Sequence, residues 1–331
     1  QMQFMDILGN VKTVIMPSDK FDKAMDDGVL FDGSSIVGYA TIEESDMRGI
    51  PDLNTFQILP WYDGNAKTAR IICDVHTSNG EQFTGDPRFV LKRMIRKANE
   101  MGYGYFTGPE FEFFLFKLNE NGEPVPVPND RGGYFDYTPI DQAEAIKKEI
   151  VMYLDMMGYD PEAFHHEVAP GQHEIDLRYA DALSMADRIM TLKSLIKSIA
   201  MKHGLFASFM PKPIYGVNGS GMHVHQSLMS PDQKKNFFYD ENAKYQLSET
   251  ALYFIGGLIK YAKETAAILN SSVNSYKRLV PGYEAPVYIS WANKNRSAMI
   301  RIPQGRGLKT RLELRNPDPA GNPYLQFSVM L

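Results

Sequence analysis

The chain has 331 residues, 44% hydrophobic and 23% charged, with a formal net charge of −5 and a single cysteine, Cys73. This is an ordinary globular composition with room for one large or two modest domains; it excludes an internal disulfide and argues against a non-specific nucleic-acid binder. No apolar run is long enough to span a bilayer as a helix, so no membrane partner is expected, and the lone cysteine fits a reducing, cytoplasmic setting.

In chain order, 11–16 and 69–75 are apolar and β-branched enough for strands, and 20–28 reads as a short helix closed by Gly28. Phe31-Asp32-Gly33-Ser34-Ser35 and Asp63-Gly64-Asn65 read as turns. Together these predict a small α+β domain over 1–85. Asp86 is placed to N-cap a helix with Pro87 at its first position, which opens the second domain, 86–331. Val90, Leu91, Met94, Ile95 and Ala98 carry that helix at helical spacing to Gly102. A strand over 110–116 follows, then a Pro- and Gly-rich loop over 119–133, a helix over 141–157 and an amphipathic helix over 184–203 closed by Gly204. Strands carry His223 and Arg311, with one helix over 248–269 between them. Both ends are abrupt: 323–331 opens an apolar helix with no polar stop, and the sequence reads as a piece of a longer chain.

Four short segments alternate charged and apolar residues: Glu110-Phe111-Glu112, Glu174-Ile175-Asp176-Leu177-Arg178, His223-Val224-His225 and Arg311-Leu312-Glu313-Leu314-Arg315. Residues two apart on a strand share a face, about 6–7 Å apart, so each segment gathers its charges on one side. Glu110 and Glu112 repel there unless a cation lies between them; a solvated edge strand is the competing reading, opposed by the apolar run Phe113-Phe114-Leu115-Phe116. The segment from His165 to Glu174 adds Glu167 and Glu174 around a Pro-Gly break, or is a polar loop. Asn218-Gly219-Ser220-Gly221 is a glycine loop entering the His223 strand, without the Lys-Ser/Thr ending of a Walker loop. The Arg311, Glu313 and Arg315 row is either a structural ion-pair network or a metal carboxylate flanked by anion clamps. A mostly oxygen donor set with one or two imidazoles suits Mg²⁺ or Mn²⁺ rather than structural zinc. Beside several arginines, it points to phosphoryl transfer from a metal–nucleotide. The residues alone do not name the acceptor.

At these positions the sequence resembles type I glutamine synthetase, in its archaeal and Gram-positive form. The resemblance runs through Phe31 to Ile36, Gly108-Pro109-Glu110-Phe111-Glu112-Phe113-Phe114, His165 to Glu174, Asn218 to His223, Asn274-Ser275-Tyr276-Lys277-Arg278, on to Pro286, and Asn316 to Tyr324. It implies an α+β fold: a small N-terminal β-grasp domain and a larger α/β catalytic domain with a curved antiparallel sheet lining a funnel. It implies ATP-dependent ligation of ammonium to glutamate through γ-glutamyl phosphate, with two or more divalent cations per site. It also implies a double hexameric ring in which the N-terminal domain of one subunit closes the site of the next.

Carried over by position, Glu112, Glu167 and Glu174 would hold one metal, and Glu110, His223 and Glu313 a second. Tyr179, His225, Ser227 and Arg311 would contact the nucleotide. Gly219, Asn218, Arg278 and Arg315 would hold glutamate, and Arg296 would stabilise the transferring phosphoryl. Asp32, Ser35, Tyr134 and Glu167 would form the ammonium pocket, with Glu284 on a closing flap. Without the resemblance, Asp32 reads as a turn aspartate. A ligase for polyamines or other amines would keep the metal and ATP sites and alter the ammonium pocket; a catalytically dead relative would have lost metal ligands. Control by small nitrogen-regulatory proteins or metabolite effectors fits the family, but no residue here demonstrates it.

Overall fold

The computed structural model describes residues 1–41, 45–62, 64 and 67–331. Asp63 and Asn65 of the expected turn lie outside the described residues.

The first sheet has five strands, β1 (Met2–Met5), β2 (Val11–Val14), β3 (Val29–Asp32), β4 (Asp46–Ile58) and β5 (Ala69–Thr77), in the order β2-β1-β5-β4-β3, with helix α1 (Phe21–Asp27) before β3. β1 pairs antiparallel with β2 but parallel with β5, so it lies inside the sheet, and all four of its residues are buried. β4 alternates buried Met47, Gly49 and Pro51 with more exposed neighbours, then shifts register between Asp52 and Gln57. This is the β-grasp unit.

Helix α2 (Pro87–Glu100) starts where Asp86 accepts hydrogen bonds from the backbone N–H groups of Arg88 and Val75, each at 3.0 Å, which ties the helix start to β5. Then come β6 (Gly104–Leu118), β7 (Pro124–Pro128), α3 (Glu144–Met156), β8 (Pro161–His166), β9 (Gln172–Leu177) and β10 (Ala180–Asp181). They are followed by α4 (Ala182–Lys202), β11 (Leu205–Ser208), β12 (Met222–Met229), α5 (Glu249–Lys260), α6 (Ala262–Leu269) and α7 (Val273–Arg278). The described chain closes with β13 (Trp291–Asn293), β14 (Ile300–Ile302), β15 (Leu312–Leu314) and α8 (Pro323–Met330).

The second sheet runs β13-β14-β15-β12-β6-β9-β8, with β7, β10 and β11 also pairing with β6; it is antiparallel apart from β13 and β14. β6 organises it. Phe111, Phe113 and Leu115 point into the main core, against Ile175, Val224 and the buried face of α4. That core reaches Met5, Leu59, Trp61 and Ile72, so the first sheet packs on the second unit through apolar contacts. The other face of β6 changes use along its length: it carries Glu110 and Glu112, then Phe114 and Phe116 pack with Ala169, Ile214 and Val217.

Several boundaries differ from the sequence reading. The strand expected over 11–16 stops at Val14, and that over 69–75 continues to Thr77. The helix expected from 184 starts at Ala182, because Asp181 accepts from Ser184 N at 3.0 Å as the cap. The helix expected from 141 starts at Glu144, because the Asp141 carboxylate accepts from Ala143 N at 2.8 Å and holds a turn. The helix expected over 248–269 breaks at Tyr261 (φ −101°, ψ 13°) into α5 and α6. The loop over 119–133 contains the short strand β7. Arg311 stands just before β15 rather than in it.

Candidate active site

Strand register sets the charged residues side by side. His223 lies opposite Glu110, and Glu313 opposite His225. On the other flank of β6, Asp176 lies opposite Glu110 and Glu174 opposite Glu112. Because the intervening Phe111, Ile175 and Val224 are held in the core, these charges must face the other way, and Glu110, Glu112, Glu174, Asp176 and His223 line a cavity of about 890 Å³ there.

Glu110 accepts from His223 Nδ1 at 3.0 Å and from His225 Nε2 at 2.7 Å. Arg311 Nε donates to His225 Nδ1 at 3.2 Å, which leaves Nε2 as the protonated nitrogen of His225. Glu112 accepts from Gly221 N at 3.0 Å and Gln172 Nε2 at 2.9 Å. Glu313, almost fully buried, accepts from Arg301 Nε and from Arg315 Nε at 3.1 Å.

Four groups among the described residues bring one donor atom per residue within 4.8 Å of one another: Glu110, His223 and Glu313; Glu112, Glu174 and His223; His165, Glu174 and Asp176; and, behind the cavity, Asp130, His166 and His173. The first is the triad the resemblance implies. In the second, His223 stands where Glu167 was expected. Glu167 lines the same cavity, but one of its oxygens accepts from Val168 N at 2.9 Å and the other lies 3.9 Å from His165 Nδ1.

The carboxyls are electrostatically crowded. Burial, then the charges of Glu110 and Asp176, push Glu174 up to about 10. Burial, then Glu174 and Glu167, hold Glu112 far above its usual range. Burial, then Glu110, raise Asp176 to about 6. Glu110 behaves oppositely: burial would raise it, but the hydrogen bonds from His223 and His225 outweigh that and hold it far below its usual value. Several carboxyls with too little counter-charge, facing one space with an imidazole, fit a hard divalent cation that neutralises them.

Arginines lie beside these groups in the same cavity. Arg278 is buried, its Nη1 donating to the carbonyls of Asn316 (2.9 Å) and Pro317 (3.1 Å) and its Nη2 to that of Arg315 (3.0 Å). A Cβ on Gly221 would lie 2.4 Å from Arg278 Nη2, so only glycine lets the guanidinium approach the loop this closely. Arg315 also lines the cavity, and its buried Nη1 has no hydrogen-bond partner. Tyr134, Asn218, Gly219, Glu284 and Arg296 also line the cavity. Asn218 Nδ2 donates to Glu284 at 3.1 Å, and Glu284 adopts a left-handed backbone with φ 61°.

The expected nucleotide contacts lie outside this cavity but converge along 106–108 of β6. His225 is opposite Gly108 and Ser227 opposite Phe106. A Cβ on Gly108 would touch Tyr179 Cβ at 3.3 Å, and the Tyr179 ring sits edge-on to Phe106 at 6.2 Å. Asp32 and Ser35 do not line the cavity. Asp32 caps the 3-10 turn Gly33–Ser35, accepting from Ser34 N at 2.8 Å, Ser34 Oγ at 2.6 Å and Ser35 Oγ at 3.0 Å. The Ser34 and Ser35 bonds hold its carboxyl below the usual range.

Gln172, His165, Asp176, Phe135 and Tyr283 also line the cavity, though the sequence reading gave them no role. For Gln172 and Asp176 the signal was present, since both stand two residues from Glu174 on one strand. Phe135 carried no such signal; it stacks on Tyr134 at 4.1 Å only because its own φ is 62°.

Two family models match the chain: glutamine synthetase, beta-Grasp domain, over residues 1–78, and glutamine synthetase, catalytic domain, over residues 84–331. The glutamine synthetase of Thermotoga maritima is 54% identical over 331 residues, spanning all of this chain and 75% of its own length. That of Methanosarcina mazei is 54% identical over 99% of this chain and 73% of its own. The Plasmodium falciparum glutamine synthetase structure superposes with a TM-score of 0.89 at 30% identity, covering 99% of this chain and 70% of that one.

Proposed function

The chain belongs to the glutamine synthetase family and has its activity, the ATP-dependent ligation of ammonium to glutamate; from that membership we propose how its own residues divide the work. The division of the chain falls at 85/86. Glu112, Glu167 and Glu174 hold one divalent cation and Glu110, His223 and Glu313 a second, Mg²⁺ or Mn²⁺, which when bound offset the charge of the phosphates and of the transferring phosphoryl.

Tyr179 stacks on the adenine, and His225, Ser227 and Arg311 contact the rest of the nucleotide. Arg278 takes the α-carboxylate of glutamate beside Asn218 and Gly219, and Arg315 lies near the γ-carboxylate. The observation that carries this reading is that Arg315 lines the cavity and keeps a buried guanidinium N–H, Nη1, without an acceptor; a carboxylate bound against it would supply one. The γ-carboxylate and ATP γ-phosphate are both anions, so their approach needs these arginines; Arg296 stabilises the charge as the phosphoryl moves.

The resulting γ-glutamyl phosphate must meet ammonia and not water. Glu284 sits on the flap that excludes water, and its bond to Asn218 holds it beside the glutamate-binding loop. Tyr134 and Glu167 form one side of the ammonium pocket, and Asp32 and Ser35 of a neighbouring copy form the other. Because its serine bonds lower its basicity, Asp32 acts first as a charge that attracts ammonium and second as a proton acceptor. In this reading the chain works with copies of itself in a double hexameric ring in the cytoplasm, with small nitrogen-regulatory proteins or metabolite effectors as its regulators. No helix among the described residues is long and apolar enough to cross a membrane.

Subunit mixing tests the shared site. Asp32→Ala and Arg315→Ala assemblies should each be nearly inactive, because every site lacks one function. Mixed rings should regain part of the activity, since some sites then receive both native residues. Mixed rings as inactive as their parents would contradict the sharing.

A further inference from the structure

Directly behind the cavity wall, His166, Asp130 and His173 form a buried cluster that the proposed mechanism does not use; His166 and His173 are 0% exposed and Asp130 5%. The His166 ring spans two oxygens. Nδ1 lies 2.7 Å from the backbone carbonyl of Glu167, and Nε2 lies 2.9 Å from Asp130 Oδ1. A carbonyl can only accept, so Nδ1 donates. Asp130 is a carboxylate fixed by other donors: Oδ1 also accepts from Gly132 N (3.2 Å) and Gly171 N (3.0 Å), and Oδ2 from Asn129 Nδ2 (3.0 Å) and Gln142 N (3.1 Å). Nε2 therefore donates as well, and the ring is a charged strut between a fixed anion and the backbone of Glu167.

The surroundings preserve that strut. The His173 ring packs edge-on against His166 at 4.8 Å, and both of its nitrogens lack partners. It packs against His166 without hydrogen-bonding Asp130. A Cβ on Gly132 would lie 2.6 Å from His166 Nε2, so the turn after Asp130 closes over the ring only with glycine there. The Glu167 N–H donates to the Gln172 carbonyl at 2.7 Å, so both backbone polar groups of Glu167 are tied down while its side chain faces the cavity.

We propose that His166, anchored by Asp130, is a positioning residue that fixes the backbone of Glu167 so that its carboxylate can reach the cation shared with Glu112 and Glu174. The inference rests on the assignment of Glu167 as a metal ligand. His166 does not touch substrate; it acts through the carbonyl beside the ligand, as outer-shell partners of metal ligands do.

The test measures Mn²⁺ binding to the assembled protein without ATP or glutamate, by electron paramagnetic resonance of the free ion, alongside steady-state kinetics. His166→Phe removes both donors while keeping a ring. Its Mn²⁺ affinity should fall about 10- to 100-fold, the range for lost outer-shell partners, with the KM for ATP changed little. Asp130→Asn keeps an oxygen toward His166 and should fall between that variant and the parent; it provides the reading if His166→Phe does not assemble. Glu167→Gln, run in parallel, separates the two levels. If Glu167→Gln binds Mn²⁺ like the parent, the assignment of Glu167 fails and the strut fails with it. If Glu167→Gln is impaired while a folded His166→Phe, or Asp130→Asn in its place, binds Mn²⁺ normally, the strut alone is overturned.

Discussion

Glu174 is raised to about 10 by burial and by the acidic groups around it, and Glu112 is raised by burial and its neighbours. In the unfolded chain the same carboxyls ionise near about pH 4–5. Above that pH, and up to about 10 for Glu174, the folded chelated protein holds protons that the unfolded chain has lost, so its stability falls as pH rises. A bound cation takes the place of those protons. Thermal unfolding in chelator should therefore show a midpoint that falls between about pH 6 and about pH 9, and the stabilisation by Mg²⁺ should grow over that window. A metal effect independent of pH would contradict the crowding. At the same scale, Arg315→Lys keeps the charge but loses the planar fork that bonds Glu313 through Nε and keeps Nη1 free of a protein acceptor. Losing one charged hydrogen bond is worth about 1.5–3 kcal/mol, so kcat/KM for glutamate should drop about 10- to 100-fold. The KM for ATP should hold nearly constant; an equal rise in both would show that Arg315 does not select glutamate.

Between elements, a buried arginine links the first sheet to helices α2 and α4 of the second unit. Arg88 of α2 is 3% exposed and pairs with Asp52 of β4 at 2.9 Å, Asp74 of β5 at 2.7 Å and Asp187 of α4 at 3.0 Å. Removing it leaves three carboxylates near one another, with Lys92 reaching only Asp52 and Asp74. Arg88→Ala should cost about 3–5 kcal/mol and lower the urea midpoint of unfolding. An unchanged midpoint would mean that the other contacts between the units, apolar packing and the hydrogen bonds of Arg70 to Thr191 and Tyr159, hold the β-grasp unit in place. None of this network was legible in the sequence, because Asp52, Asp74, Arg88 and Asp187 share no spacing. The alternating strands were legible, because a period of two fixes a face whatever the tertiary context. The break at Tyr261 was not, since helical spacing runs on through α5 and α6 with no proline to mark it. β4 was hidden because Pro51 and Gly49 weaken the strand signal and only its pairing with β3 and β5 makes them acceptable.

For the whole molecule, the sequence motifs and the cavity agree on one chemistry, while the single chain leaves one part outside: Asp32 and Ser35 stand on the β-grasp unit away from the cavity that holds Tyr134 and Glu167. Spacing alone could not reveal that separation, because it orders residues along the chain and not in space; the family resemblance anticipated it, by implying that the N-terminal domain of one subunit closes the site of the next. The amine is the point at which the family's chemistries diverge. Phosphate release by the assembled protein, given ATP, Mg²⁺ and glutamate with either ammonium or a panel of methylamine, ethanolamine and polyamines, tests the account most directly. The account predicts release that requires glutamate and is driven by ammonium far more efficiently than by any other amine. Release that proceeds without glutamate, or that needs a polyamine, would contradict it.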